Sequence, residues 1–408
     1  MRVRRSTYIA SVFAVVALAI TGCAAPNSGA DKQPAAAPGS PIPAKPSAPV
    51  SLHLLDVGGA SKLFRGAIEA FAAANPDVVS KVTIEAGGAP DLVGTIKPQV
   101  DSKNLSVDIV LTGNDGLSAG IGQNLWVPVV KDYGDRLPNM ANYIEPAAKM
   151  EALANGYGVL LSFSPGGPLL QYDPAVVKNL PKTPEALLAW AKSNPGKLGY
   201  ARPANSGPGR TWLQGLPYLL GDKDPKDPVN GWAKTWTYLK ELGKYITNYP
   251  TGTGQVVTNM ANGTWSLTPI QMGWDIYPRA KGQAPNTLQV GQFSHYTWVS
   301  DAHFAAIPRG LTTDKMSAIL LLLNNVLTPE QNAKAFDNGY FYPGPSIKGA
   351  TLDKAPKASQ DVIKEFGRTW YDEAIKSHDI QTQLDAASLV KAFDIWDREV
   401  GSGKYQAK

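Results

Sequence analysis

Cysteine is nearly absent from this chain: Cys23 is the only one in 408 residues. That excludes an internal disulfide and any zinc or iron–sulfur site built on several thiolates. Histidine is scarce as well. His53, His295, His303 and His378 show no His-x-x-x-His spacing, so the commonest helical metal motif is missing. The N-terminal apolar run, residues 8–20, falls well short of the ~20 residues that a membrane-spanning helix needs. No block of like charges occurs. With the first 22 residues set aside, 36 basic residues stand against 34 acidic ones. That balance lacks the strongly basic face of a nucleic-acid-binding protein. No internal repeat is visible.

The position of the lone thiol is informative. Arg2, Arg4 and Arg5 precede the apolar run, and the small residues Thr21 and Gly22 follow it. A charged start, a short apolar stretch and a small-residue junction are the parts of a secretory signal. Ile20-Thr21-Gly22-Cys23 is similar to the lipobox of bacterial lipoproteins. The resemblance implies that residues 1–22 are removed and that Cys23 carries lipid on the extracytoplasmic face of the cell membrane. Residues 24–50 hold seven prolines and eight alanines, with no aromatic residue. Such a segment has too little apolar surface to offset its ordering entropy, so residues 23–50 are expected to form a lipidated, disordered tether.

The remaining ~350 residues exceed what one core usually organises, which predicts two lobes. Strand-like and helix-like segments alternate: a strand at 51–55, a helix at 62–74, a strand at 82–86, a helix at 92–102 and a strand at 107–111. This order predicts mostly parallel sheets flanked by helices, with ligand-binding loops at the strands' carboxyl ends. Further strands are expected at 158–163, 169–172, 265–269 and 303–308. Helices are expected at 185–193, 229–247, 316–326, 361–377 and 384–400. Trp232, Trp236, Leu239 and Leu242 form a helical stripe that reads as core.

Several stretches resemble the extracellular solute-binding proteins of ABC importers. They are "LPKTPEALLAWAKSNPGKLGYARP" (180–203), "DAHFAAIPRG" (301–310), "LTPEQNAKAFDNGYFYPG" (327–344) and "NLWVPV" (124–129). The resemblance implies an α/β, two-lobed periplasmic-binding-protein-like fold of the second type, working as a monomer. Its divisions would be a first lobe from 51–157, a second from 158–300, a return from 301–345 and C-terminal helices from 346–408. Hinges are expected near 156–161 and 298–305. The lobes would close on a small molecule and deliver it to the transmembrane subunits of a permease, without covalent chemistry or a cofactor.

The candidate ligand contacts follow from that frame. The loop from Asp56 through Gly59 to Ser61 would offer backbone N–H groups at a helix N-terminus, and Thr112, Asn114 and Asp115 share its rim. Ser206, Arg210 and Trp212 lie in the glycine-rich loop of the second lobe, where the guanidinium would meet an acidic group. Trp274 and Asp275 suit an organic cation, such as a polyamine or a thiamine-like compound, and the reading leans that way. Tyr296, Trp298, Tyr340 and Tyr342 complete the aromatic set. Tyr340 and Tyr342 are not the adjacent pair expected of a two-tyrosine iron site.

An enzymatic alternative is a lipid-anchored hydrolase. Gly116-Leu117-Ser118-Ala119-Gly120 matches a nucleophile-elbow pattern, although Gly113-Asn114-Asp115 separates it from the preceding strand.

Overall fold

The computed structural model describes residues 35–37 and 39–404; the expected signal segment, Cys23 and the first part of the tether lie outside them. Among the described residues there are ten strands: β1 (Val50–Asp56), β2 (Val79–Ala86), β3 (Ile109–Thr112), β4 (Gly158–Gly167), β5 (Leu169–Tyr172), β6 (Leu267–Ile270), β7 (Gln289–Gly291), β8 (Trp298–Ala306), β9 (Gly344–Pro345) and β10 (Ile380–Gln381). The first sheet runs β2-β1-β3-β8-β4-β9, with β10 also paired to β8, and the second runs β6-β5-β7.

The expectation of mostly parallel sheets is corrected. Only β1–β2, β1–β3 and β8–β10 pair in parallel. The chain leaves the first lobe along β4 and comes back along β8, so these two strands run antiparallel. In the second lobe β5 lies antiparallel to both neighbours. Every residue of β4 and of β8 is buried, which explains their lack of apolar–polar alternation.

Helix Ser61–Ala74 buries Leu63, Phe64, Ala67, Ile68 and Phe71 on one face against the first sheet. It stops at Asn75, whose side-chain amide donates to Phe71 O at 2.8 Å, just before Pro76. The tryptophan stripe of helix Ala233–Gly243 is core, as expected, with Trp232, Leu239 and Leu242 fully buried. It packs with Trp212, Tyr200 and Trp396 in the second lobe.

Two expectations about the chain's ends are revised. The described part of the tether lies along the first lobe. Ala36 N donates to Leu311 O at 2.7 Å, and Ser317 Oγ donates to Pro43 O at 2.8 Å. The Arg136 guanidinium donates to the carbonyls of Ile42, Pro43 and Ala44 at 3.0–3.1 Å. Proline has lost its N–H but keeps its carbonyl, so a proline-rich strip still offers acceptors to an arginine. At the other end the residues after 346 are not a separate unit. The helix expected at 361–377 divides into Lys357–Phe366 and Tyr371–Ser377, β10 joins the first sheet, and helix Ala386–Glu399 buries Leu389, Ala392 and Trp396 in the second lobe.

A buried ionic cluster ties the C-terminal segment to the second lobe. Asp275 is wholly buried and accepts from Arg279 Nη2 (2.8 Å), Arg368 Nε and Nη2 (both 2.9 Å) and Tyr371 Oη (2.8 Å). Removing the carboxylate strands two guanidinium groups. Asp275→Ala is therefore expected to cost about 3–5 kcal/mol, measured from the urea midpoint at unchanged slope. A loss below about 1 kcal/mol would show that the cluster is not held as described.

Candidate functional site

β1 ends at Asp56, and the chain turns sharply into helix Ser61–Ala74. The Asp56 carboxylate accepts from the N–H groups of Gly58 (3.1 Å), Gly59 (2.7 Å) and Ser61 (2.9 Å). The loop thus spends on its own aspartate the donors that it was expected to offer a ligand. Gly59 has φ +89°, and a Cβ there would stand 2.7 Å from Tyr340 Oη, so glycine is required on both counts. Across the rim, β3 leads through Gly113 into helix Asn114–Gly122.

A cavity of about 760 Å³ opens beside these loops, and the second lobe forms its other wall with Asn205, Ser206, Gly207, Arg210, Thr253, Gln271 and Trp274. At its centre Arg210 Nη1 pairs with Asp115 Oδ2 at 3.2 Å, and Nη2 pairs with Asp301 Oδ1 at 3.2 Å. Arg210 comes from the second lobe, Asp115 from the first and Asp301 from β8, which passes between them. Burial alone would lower the Arg210 pKa, but Asp301 and Asp115 raise it above its ordinary value. Asp301 is further fixed by Gln271 Nε2 (3.1 Å), Gln383 Nε2 (2.8 Å) and Ala302 N (3.0 Å).

His303 also lines the cavity. Its Nε2 lies 2.9 Å from Gly58 O, which can only accept, so Nε2 carries the proton. Its Nδ1 then accepts from Ser162 Oγ at 2.9 Å. Burial lowers the pKa of this ring, with Arg210 adding to the effect against Asp301 and Asp56. On the first lobe's wall the Lys62 ammonium sits 4.2 Å from the Tyr340 ring centroid, its pKa lowered by burial against the pull of Asp56 and Asp337. Trp274 meets Tyr340 edge-on at 5.4 Å. Gly273 allows this approach, since a Cβ there would lie 2.0 Å from Tyr340 O.

Of the residues proposed from sequence, Asp56, Gly59, Asp115, Ser206, Arg210, Trp274 and Tyr340 line the cavity. The others lie away from it. Ser61 turns its N–H to Asp56, and Thr112 and Asn114 are buried, with Asn114 Nδ2 donating to Gln383 Oε1 at 3.1 Å. Trp212 stacks on Phe293 in the second lobe's core. Asp275, Tyr296, Trp298 and Tyr342 belong to the packed region around Tyr371. The carboxylate that favoured an organic cation is thus neutralised by arginines outside the cavity. Lys62, Gln271, Asp301 and His303 line it and were not proposed as ligand contacts. The last two stand in the 301–310 stretch that carried the family resemblance, so a signal was there for them.

The elbow geometry is not formed either. Ser118 lies inside helix Asn114–Gly122, 3 % exposed, with Oγ directed to Asn114 Oδ1.

A mixed first sheet, an antiparallel second sheet, a double crossover along β4 and β8, and a polar cavity lined from both sides define a two-lobed binding protein. The model of the family described as bacterial extracellular solute-binding protein matches residues 66–364, and the chain belongs to that family. Solved structures with the same fold include an ABC transporter protein from Clostridium perfringens, 14 % identical, covering 85 % of this chain and 97 % of that one with a TM-score of 0.60. A putative spermidine/putrescine ABC transporter protein from Listeria monocytogenes is 14 % identical, covering 85 % and 99 %, with a TM-score of 0.56. AfuA from Actinobacillus pleuropneumoniae, with fructose-6-phosphate bound, is 14 % identical, covering 86 % and 98 %, with a TM-score of 0.59. No curated protein matches the sequence.

The neutral, buried His303 makes stability depend on pH. The unfolded state takes up a proton near pH 6.5, whereas the folded state does so only at lower pH. This contribution is therefore fully present above pH 6.5 and is lost as pH falls towards the folded-state value. Thermal unfolding between pH 5 and 8 should show a fall on the acid side that His303→Gln flattens. An identical pH profile for the variant would contradict a neutral His303.

Proposed function

We propose that this chain is a lipid-anchored, monomeric binding protein that captures a small polar solute between its lobes outside the cell and hands it to its permease. The observation that carries the proposal is the cavity built around Arg210. Its volume of about 760 Å³ lies within the ~300–1,000 Å³ range of small-molecule sites. Its walls supply backbone and side-chain polar groups beside two aromatic faces, a combination that orients a solute without reacting with it. In the cavity the lobes meet through the ion-paired Arg210 and the Trp274–Tyr340 contact, and closure needs only a few residues of β4 and β8 to absorb the backbone change. The names of the structural neighbours span polyamines and a sugar phosphate, so the fold leaves the solute open.

The anchor rests on Cys23 and the segments around it. In a bacterial host fed labelled palmitate, the wild-type protein is expected to take up label and sediment with membranes, and Cys23→Ala to do neither. Unchanged labelling of the variant would contradict the anchor. Capture is tested by thermal unfolding of the purified chain with a solute library. A solute at ~100 times its Kd adds about 2.7 kcal/mol, and Arg210→Met should abolish the shift. Ester hydrolysis that disappears in Ser118→Ala would contradict the binding role.

A further inference from the structure

We infer that residues 35–49 form a docked strap that shortens the membrane anchor and sets where it pulls on the first lobe. The inference rests on the lipid-anchor reading above. Its basis is a series of contacts along the strip. Ala35 bridges Thr312, and Ala36 N donates to Leu311 O. Ile42 packs against the first lobe's core, and Pro46 is buried. Arg136 donates to three successive carbonyls, those of Ile42, Pro43 and Ala44, and Ser317 Oγ donates to Pro43 O as well. Lys45 pairs with Asp77 at 2.9 Å, and Ser47 Oγ donates to Asp314. Every one of these partners belongs to the first lobe. The chemistry suits the composition. Pro41, Pro43, Pro46 and Pro49 hold φ at about −65° in the free chain too, so ordering the strip costs less backbone entropy. An extended proline-rich chain makes no hydrogen bonds of its own and leaves its carbonyls to outside donors. A guanidinium, with its fork of N–H groups, supplies several donors at once.

Docking changes the reach of the anchor. Cys23 lies 27 residues before Val50 but only 12 before Ala35. At ~3.5 Å per residue, the intervening chain stretches to at most about 95 Å without the strap and about 40 Å with it. By roughly the −3/2 power of tether length, the shorter tether raises the effective concentration at a membrane partner about threefold. The strap also sets the point of pull. β1 begins at Val50, beside the strip, and ends at Asp56 on the cavity, about 20 Å further on at ~3.3 Å per residue. β8 carries Asp301, Ala302 and His303 past the cavity and ends at Ala306, and Leu311 and Thr312 follow beyond that end. The anchor therefore pulls at the end of the first lobe opposite to the cavity. None of the strap contacts named above involves the second lobe, so the strap leaves the mouth clear and the second lobe free to move.

The first test uses the full chain with Cys23→Ser, which has no other thiol, and a spin label at Ala44→Cys, an exposed position. The label is expected to show restricted motion, and to become freely mobile in Arg136→Gln and in Ile42→Asp. The thermal midpoint reports whether the body still folds. Ile42 lies on the strip itself, so its variant leaves the lobe's own core residues in place. A label already mobile in the otherwise native chain, or equally restricted in both variants, overturns the strap. The second test uses the lipidated chain in phospholipid vesicles, with a fluorophore at Lys223→Cys, an exposed position on the second lobe; lipid occupies the Cys23 thiol. Energy transfer to labelled lipid headgroups should fall in Arg136→Gln and Ile42→Asp as the body moves away. Attachment with equal transfer in all three chains overturns the shortened anchor alone. A wild-type chain that carries no lipid and does not attach overturns the anchor reading, and the inference with it.

Discussion

The guanidinium of Arg210 is the point on which the two lobes depend. It is buried, and a buried charge is tolerated only when its desolvation is offset by close, well-placed partners. Those partners come from two distant stretches of chain, Asp115 in the first lobe and Asp301 on the returning strand. Neither lobe can satisfy Arg210 alone. The pair therefore acts between lobes, inside the cavity that a solute would fill, and any solute group that competes for Arg210 or for its aspartates alters how the lobes meet.

The C-terminal segment supports this centre from behind. Gln383 donates to Asp301 and accepts from Asn114, so one amide touches the strand between lobes and a helix of the first lobe. Leu384 N donates to Gln214 on the Arg210 helix at 2.7 Å. Asp301 thereby keeps its oxygens aimed at Arg210 from both sides. Nearby, Asp275 with Arg279 and Arg368 forms a second buried ionic cluster, which fastens the same C-terminal region to the helix that carries Trp274.

Much of this was legible in the sequence where the signal is local. The alternation of strands and helices, the glycine loop after β1, the tryptophan stripe and the family-like segments located the lobes and the rim. Asp115 and Trp274 were proposed because strand-end loops collect at the rim, Arg210 because its loop resembles the family's, and Tyr340 as one of the aromatic set; all four line the cavity. What failed depends on contacts hundreds of residues apart. Asp275 follows Trp274 directly, and only the arrival of Arg368 and Tyr371 turns its side chain into the core. Trp212 sits two positions past Arg210 on the same helix, and that rotation points it into the second lobe. Lys62 was passed over because it opens an amphipathic helix, where a lysine reads as a solvated face. The tether was read from composition, which cannot register the guanidinium of Arg136 gathering its carbonyls. The antiparallel second sheet was missed because helices between strands usually imply parallel pairing.

The most direct measurement is the distance between lobes in solution. With Cys23 replaced by serine the chain has no thiol, so spin labels placed through Lys103→Cys and Lys223→Cys report one exposed position on each lobe. If Arg210 holds the lobes together, pulsed electron resonance will give a single narrow distance in the otherwise native protein. The distribution will be longer and broader in Arg210→Met. The same narrow distance in both would contradict the account.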